Sequence, residues 1–166
     1  MTTAIPATPE PKPAPPLVRE AGARELALRF FDCLNRHDVA AALGLFAPDA
    51  SFEIVPAGLA GTAARVGRPF LDALNLAFPD LWIQVRSLVE MAMGSAELAV
   101  AEVKLEGTQA ADFLGVLNQE KHLDLDQAWM IGARGGAIVS LRAYWCQNQL
   151  YRRLAVKRLD RVFIIG

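Results

Sequence analysis

The stretch that decides the fold of this 166-residue chain is Ile138-Val139-Ser140-Leu141-Arg142-Ala143-Tyr144-Trp145-Cys146. Its β-branched and aromatic residues favour a strand, and the preceding Gly132-Ala133-Arg134-Gly135-Gly136 supplies glycines for a hairpin turn. Side chains alternate between the two faces of a sheet, so one face carries Leu141, Ala143 and Trp145. The other face carries Arg142, Tyr144 and Cys146. If the first set faces inward, it forms an apolar pocket wall that holds no carboxylate.

Working outward from this strand, the pattern predicts strands over 81–92, 96–108, 122–131 and 137–146, with a loop over 109–121. Before them, apolar residues recur at three- and four-residue steps and predict a helix over 19–35. A short helix over 38–45 follows with Asp38 as its cap, then a strand over 50–55, a loop through Gly67 and a helix over 69–78. Helices first and strands afterwards predict an α+β fold with a mostly antiparallel sheet.

Composition excludes several functions. A net charge of −1 and an isoelectric point near 6.1 show no excess of positive charge that would attract nucleic acid or an anionic membrane. No apolar run reaches the roughly 18 residues of a membrane span, although 53% of residues are hydrophobic. This apolar surplus is expected in a core, a ligand cavity or a subunit interface. Two cysteines predict no disulfide framework or metal cluster and fit the cytoplasm, and no cofactor is expected.

The two ends of the chain differ from its middle. Residues 1–16 hold six of the ten prolines, so we expect a disordered proline-rich tail over 1–17 and one domain over 18–166. The segment 158–166 is expected to add an edge strand or to cover a pocket mouth.

Five pieces of the sequence carry a resemblance in their order and spacing. They are residues 29–38 (RFFDCLNRHD), 45–53 (LFAPDASFE), 77–81 (AFPDL), Gly107-Thr108 with Phe113-Leu114-Gly115, and 138–145. Together they resemble the NTF2-like superfamily, particularly ketosteroid isomerases and SnoaL-like polyketide cyclases. The resemblance implies a cone, in which a curved sheet and three N-terminal helices surround a deep apolar pocket. It also implies a homodimer formed through the sheet.

The catalytic positions of these families are altered here. By resemblance, the general base of the isomerases falls at Ile54 and their tyrosine donor at Phe30, and both residues are apolar. Their acid donor falls at Ala128, or at Asp126 if the hairpin after it is two residues longer than usual. The Trp-Asp pair and the further acid that cyclases carry in the last strand fall, by resemblance, at Arg142, Ala143 and Cys146, and the histidine that often follows Gly-Thr is replaced by Gln109. Steroid isomerisation by the usual route is therefore not expected.

Three residues remain as catalytic candidates. With Trp145 and Ala143 inward, Asp126 and Met130 are expected to face the cavity, and a carboxylate there is a candidate general acid or base. A solvated Asp126 at the rim is the alternative, and a one-residue slip would replace it with Gln127 and Trp129. Asp112 is either a second acid near the pocket or an exposed loop charge. Tyr144 is either an oxyanion donor or a residue of a dimer interface.

The remaining predicted site residues contact a small apolar ligand. By the same sheet register and resemblance, they are Phe30, Phe52, Ile54, Val103, Leu105, Gln109, Met130, Ala143 and Trp145. For the phenylalanines and Ile54, ordinary core packing is the simpler interpretation.

Two functions are compatible with this sequence. The first is a cofactor-independent cyclase or isomerase-like enzyme that acts on an apolar biosynthetic intermediate such as a polyketide. The second is a dimeric module that binds a small apolar ligand without chemistry. The resemblance to enzyme families favours the first, whereas the vacated acid positions favour the second.

Overall fold

The fold is a curved, unclosed six-stranded sheet with helices on its inner side. In the computed structural model of the chain, residues 20–155 are described. The elements, in chain order, are α1 (Ala23–Asn35), α2 (Val39–Leu43), β1 (Phe46–Ile54), β2 (Leu59–Thr62), α3 (Arg68–Ala77), β3 (Trp82–Met93), β4 (Ala96–Thr108), β5 (His122–Arg134), β6 (Ala137–Trp145) and α4 (Gln147–Leu154). The α+β prediction with three N-terminal helices is confirmed. The tail and C-terminal segment predictions lie outside the described residues.

The sheet order is β2-β1-β6-β5-β4-β3, and all neighbours are antiparallel except β1 and β6. The parallel pair places Phe52 beside Leu141 and Ile54 beside Ala143. Strand β6 therefore lies between β1 and the long β3–β5 meander. This position explains why its sequence is so informative, because β6 is flanked by strands on both sides.

A bulge sets the register of the β5–β6 hairpin. Gly135 and Gly136, at φ 57° and 73°, form its two-residue turn, in agreement with the sequence prediction. Beyond the turn, Ala133 pairs with Ile138 but Gly132 pairs with Ser140, so Val139 is one extra residue on β6. Every pair further along the hairpin is shifted by one position as a result.

The inner face of the sheet is covered by α1. Phe30 and Phe31 pack against the Trp129 ring, with ring centroids 5.8 and 5.7 Å apart. The amino end of α1 is fixed by carboxylates from the sheet, because the Ala23 backbone N–H donates to Glu97 Oε2 at 2.9 Å. These side chains satisfy donors that a helix leaves free in its first turn.

Among the described residues, no helix is long and apolar enough to cross a membrane.

The predicted cap of α2 is confirmed, whereas the bounds of several other elements differ from the prediction. The Asp38 carboxylate accepts a hydrogen bond from the Ala41 backbone N–H at 2.8 Å, as predicted for a helix cap. The first helix begins at Ala23 rather than at residue 19, and β1 begins at Phe46 rather than at residue 50. The predicted loop through Gly67 contains β2, which pairs with β1, and α4 follows β6.

Candidate functional site

A small cavity lies on the inner face of the sheet, between β4, β5, β6 and the helices α3 and α4. Its walls are almost entirely apolar, and its lining residues are Phe70, Leu74, Leu105, Phe113, Leu123, Leu125, Gln127, Trp129, Trp145 and Leu150. The space open to the centre of a water molecule is about 10 Å³. That is room for about one water, so a larger ligand requires side chains or α4 to move.

Gln127 is the polar residue of this lining. Its side chain is 6% exposed, and its Oε1 accepts a hydrogen bond from Trp129 Nε1 at 2.8 Å. An indole N–H is only a donor, so this contact places the oxygen of the Gln127 amide towards Trp129. The amide nitrogen is thereby left on the other side of the side chain.

Aromatic rings and α4 close the cavity. Phe70 on α3 stacks on Trp145 of β6 at a centroid distance of 6.5 Å, and it also contacts Phe113 at 6.1 Å. Leu150 on α4 is 1% exposed and completes the lining. In the same helix, Gln147 accepts a hydrogen bond from Trp145 Nε1 at 2.8 Å, which couples the start of α4 to the cavity wall.

The loop over 109–121 is organised by amide and carboxylate contacts. Gln109 is 1% exposed, and its Nε2 donates to the Val116 carbonyl while its Oε1 accepts from the Gln119 backbone N–H, each at 3.3 Å. Asp112 is exposed, and its carboxylate accepts from the Asn118 backbone N–H at 2.7 Å. Both predicted site residues therefore hold the loop, and neither lines the cavity.

The expectation that Asp126 and Met130 face inward is wrong. Asp126 is exposed on the outer face, opposite Lys104, and Met130 is half-buried on the same face. The physical reason is the bulge at Val139. Without it, Trp145 would pair with Asp126, whereas with it Trp145 pairs with Gln127.

Tyr144 is also on the outer face of the sheet. It is half-buried, and the Arg142 guanidinium carbon lies 5.7 Å from the centre of its ring. A donor in this position does not reach the cavity. Its predicted alternative role, as a residue of an interface, matches the side of the sheet on which it lies.

The other predicted ligand contacts separate into two groups. Leu105 and Trp145 line the cavity. The remaining five are fully buried in the core around it, and they are Phe30, Phe52, Ile54, Val103 and Ala143. These five side chains are buried on the inner side of the sheet, but they do not line the cavity.

Sequence reasoning missed most of the lining. Phe70 and Leu74 come from the amphipathic face of α3, and Leu150 comes from a helix that was not predicted. The apolar spacing of α3 could have indicated Phe70. Gln127 and Trp129 appeared only in the alternative register, because the bulge has no distinctive residue to announce it.

Charges gather outside the cavity. On the outer face, Arg142 Nε donates to Glu53 Oε2 at 2.7 Å, and this bond raises the pKa of Arg142. At the end of β4, the Thr108 backbone N–H donates to Asp80 Oδ1 at 2.6 Å, and this hydrogen bond lowers the pKa of Asp80. All ten residues that line the cavity are uncharged.

A family model matches this chain over most of the residues that the structure describes. The SnoaL-like domain model covers residues 27–141, which run from the middle of α1 into β6. No curated protein sequence gives a match.

Solved structures show the same fold at low sequence identity. A protein named as a SnoaL-like polyketide cyclase from Jannaschia is 18% identical, with a TM-score of 0.70 over 89% of this chain and 100% of that chain. A protein named as a polyketide cyclase from Pseudomonas putida is 22% identical, with a TM-score of 0.65 over 81% and 98%. AclR from Streptomyces galilaeus, named as a hydroxylase, is 20% identical, with a TM-score of 0.66 over 78% and 92%. Different named activities on one fold mean that the site must decide the function.

Proposed function

This chain belongs to the family of SnoaL-like domains, and from that premise we propose that it binds an apolar small molecule of the polyketide type in the cavity on the inner face of its sheet. The observation that carries this proposal is the cavity lining. It combines aromatic and aliphatic walls with one buried amide, a composition typical of sites for small apolar ligands.

The lining also decides what kind of chemistry the site supports. A general acid or base must come within hydrogen-bond reach of the reacting group, and no residue that lines the cavity titrates near neutral pH. Asp126 and Asp112 are exposed away from it. The geometry therefore supports binding better than proton transfer by a carboxylate.

A cyclase is the second candidate, and the shape of the site favours it. Once side chains or α4 have moved to admit a flexible chain, the aromatic walls can hold it in one folded conformation, and such positioning alone lowers the barrier of a cyclisation. In this proposal the reaction needs no cofactor, and Phe70, Phe113 and Trp145 act by shape. The names of the structural neighbours from Jannaschia and Pseudomonas putida support this class of substrate.

We further propose that two copies pair through the outer face of the sheet, in the cytoplasm. Val89, Met91 and Met93 project from that face of β3 and are 58%, 45% and 59% exposed. Val100 and Met130 continue the same apolar row across β4 and β5. An apolar patch of this kind is typical of an interaction surface, and a second copy presents the matching patch.

Substitution of Leu150 tests the ligand site. Leu150→Ala removes a side chain that closes the cavity. A tricyclic aromatic compound such as fluorene should therefore bind with about tenfold higher affinity and with a higher association rate. The matched control is Leu154→Ala on the same helix, because Leu154 is equally buried but lies outside the lining. Quenching of tryptophan emission reports binding, since Trp129 and Trp145 line the site.

The same proteins separate the two candidate functions. The proteins are incubated with a linear poly-β-ketone, and the products are separated by chromatography. Cyclised product should form faster than in the uncatalysed reaction only if the protein is a cyclase. Binding without product identifies a binding module. If fluorene binds neither the parent protein nor Leu150→Ala, the proposed ligand site is wrong.

A further inference from the structure

The geometry points to Gln127 as the residue that selects the ligand, by donating a hydrogen bond from its amide nitrogen to a neutral carbonyl oxygen. This inference deepens the proposed function and rests on it. It concerns one atom, Gln127 Nε2, and the partner that this atom requires.

The nitrogen of this amide is a donor without a protein acceptor. Trp129 Nε1 occupies the oxygen of the Gln127 amide at 2.8 Å, and Nε2 has no hydrogen-bond partner among residues 20–155. Nε2 is also not sealed in the core, since Asn75 Oδ1 is the only fully enclosed, unpartnered side-chain polar atom in the described part of the chain. Gln127 lines the cavity and is 6% exposed, so the cavity is the space from which a ligand can reach Nε2.

An unpaired donor in an apolar space is costly, and this cost makes it selective. Loss of water from a buried N–H is repaid only if the ligand brings an acceptor. A ligand of similar shape without an acceptor leaves the donor unpaired and binds more weakly. The site thereby distinguishes oxygenated apolar molecules from hydrocarbons.

The surroundings define the acceptor as neutral. A carboxylate would enter a space lined by uncharged residues, and no cation in the lining compensates its charge. A carbonyl oxygen accepts through two lone pairs and adds no charge. The ligand class is therefore an apolar, polycyclic or folded ketone.

A matched pair of side chains separates ligand selection from structural support. Gln147 also accepts a hydrogen bond from an indole N–H, that of Trp145 at 2.8 Å, but it does not line the cavity. A role limited to holding a tryptophan is shared by both glutamines. A free donor towards the ligand belongs to Gln127.

The experiment compares fluorenone with fluorene, which have the same ring system and differ in a carbonyl in place of a methylene. Dissociation constants come from quenching of tryptophan emission, and the infrared carbonyl stretch of bound fluorenone reports hydrogen bonding directly. The parent protein should bind fluorenone about three- to tenfold more tightly, because one net hydrogen bond corresponds to that range. The stretch should move to lower frequency on binding.

Variants then assign the effect to one atom. Gln127→Leu should abolish both the preference and the infrared shift, whereas Gln147→Leu should leave both unchanged. Gln127→Met keeps the length of the side chain and removes the amide donor, so it should also abolish the preference if Gln127→Leu does not fold.

The possible failures are distinguishable. Equal affinity of the parent protein for fluorenone and fluorene, with an unshifted carbonyl stretch, overturns the role of Gln127 while the apolar ligand site stands. A persistent preference in Gln127→Met overturns it as well. Binding of neither compound overturns the proposed function and this inference with it.

Discussion

The two faces of the same sheet follow opposite rules. On the inner face of β5, Leu123, Leu125 and Trp129 are buried, with Gln127 as the only polar side chain among them. The outer face, one residue away, carries Asp124 and Asp126. Asp124 forms an ion pair with Lys104, with Oδ1 and Nζ 3.1 Å apart. The comparison teaches that in this molecule chemistry depends on register, since a one-residue slip exchanges an amide for a carboxylate.

The largest expected effect contrasts two tryptophans on opposite faces. Trp129→Ala should lower the free energy of unfolding by about 3–5 kcal/mol, because Trp129 is 1% exposed and packs against two phenylalanine rings. Trp82→Ala on the outer face, where Trp82 is 56% exposed, should change it by only about 0.5 kcal/mol. Urea denaturation measures both. Similar losses in the two variants would contradict the contrast between the faces.

A second prediction addresses association through the outer face. Met91→Lys places a charge in the apolar row of β3 and should convert a dimer to a monomer, because desolvation of the lysine opposes burial of the patch. Gln84→Lys is the control, since Gln84 is an exposed polar residue on the same face of the same strand. Light scattering after size-exclusion chromatography gives the mass. A monomeric parent protein, or a dimeric Met91→Lys variant, would rule out this interface.

The smallest effect compares two carboxylates of β4 that point to opposite faces. Glu97→Ala should lower the free energy of unfolding by about 1 kcal/mol, because Glu97 Oε2 accepts from a free N–H at the start of α1. Glu102→Ala should change it by no more than about 0.5 kcal/mol, since its partner is the exposed Ser87 hydroxyl at 3.2 Å. Thermal unfolding of both variants measures the difference. An equal or larger effect at Glu102 would show that the inner carboxylate does not fix the helix.

Much of the fold follows from the sequence because its signals are local. The strand over 96–108 and the start of the strand at His122 are predicted to the residue, and Gly135 and Gly136 form the turn that their sequence favours. Apolar and polar residues alternate over 101–106 and 122–126, so neighbouring positions are enough to identify these strands. Helix α4 lacks such a signal, because it is short and its mean hydropathy is low.

The candidate site follows from the sequence only in part. The orientation of Val103, Leu105, Ala143 and Trp145 is confirmed, since alternation within one strand fixes which side chains share a face. The orientation of β5 relative to β6 needs the pairing between two strands. That pairing changes at Val139, where one extra residue costs little and leaves no mark in the composition.

The sequence by itself determined the α+β class, the inward apolar faces and the absence of a carboxylate from the last strand, because each depends on residues close together in the chain. Only the tertiary structure decided which residue of β5 faces the cavity, that α4 and Phe70 close it, and that Gln127 keeps a free donor there. These features depend on contacts between residues far apart in the chain, and the register of one hairpin sets which side chains meet.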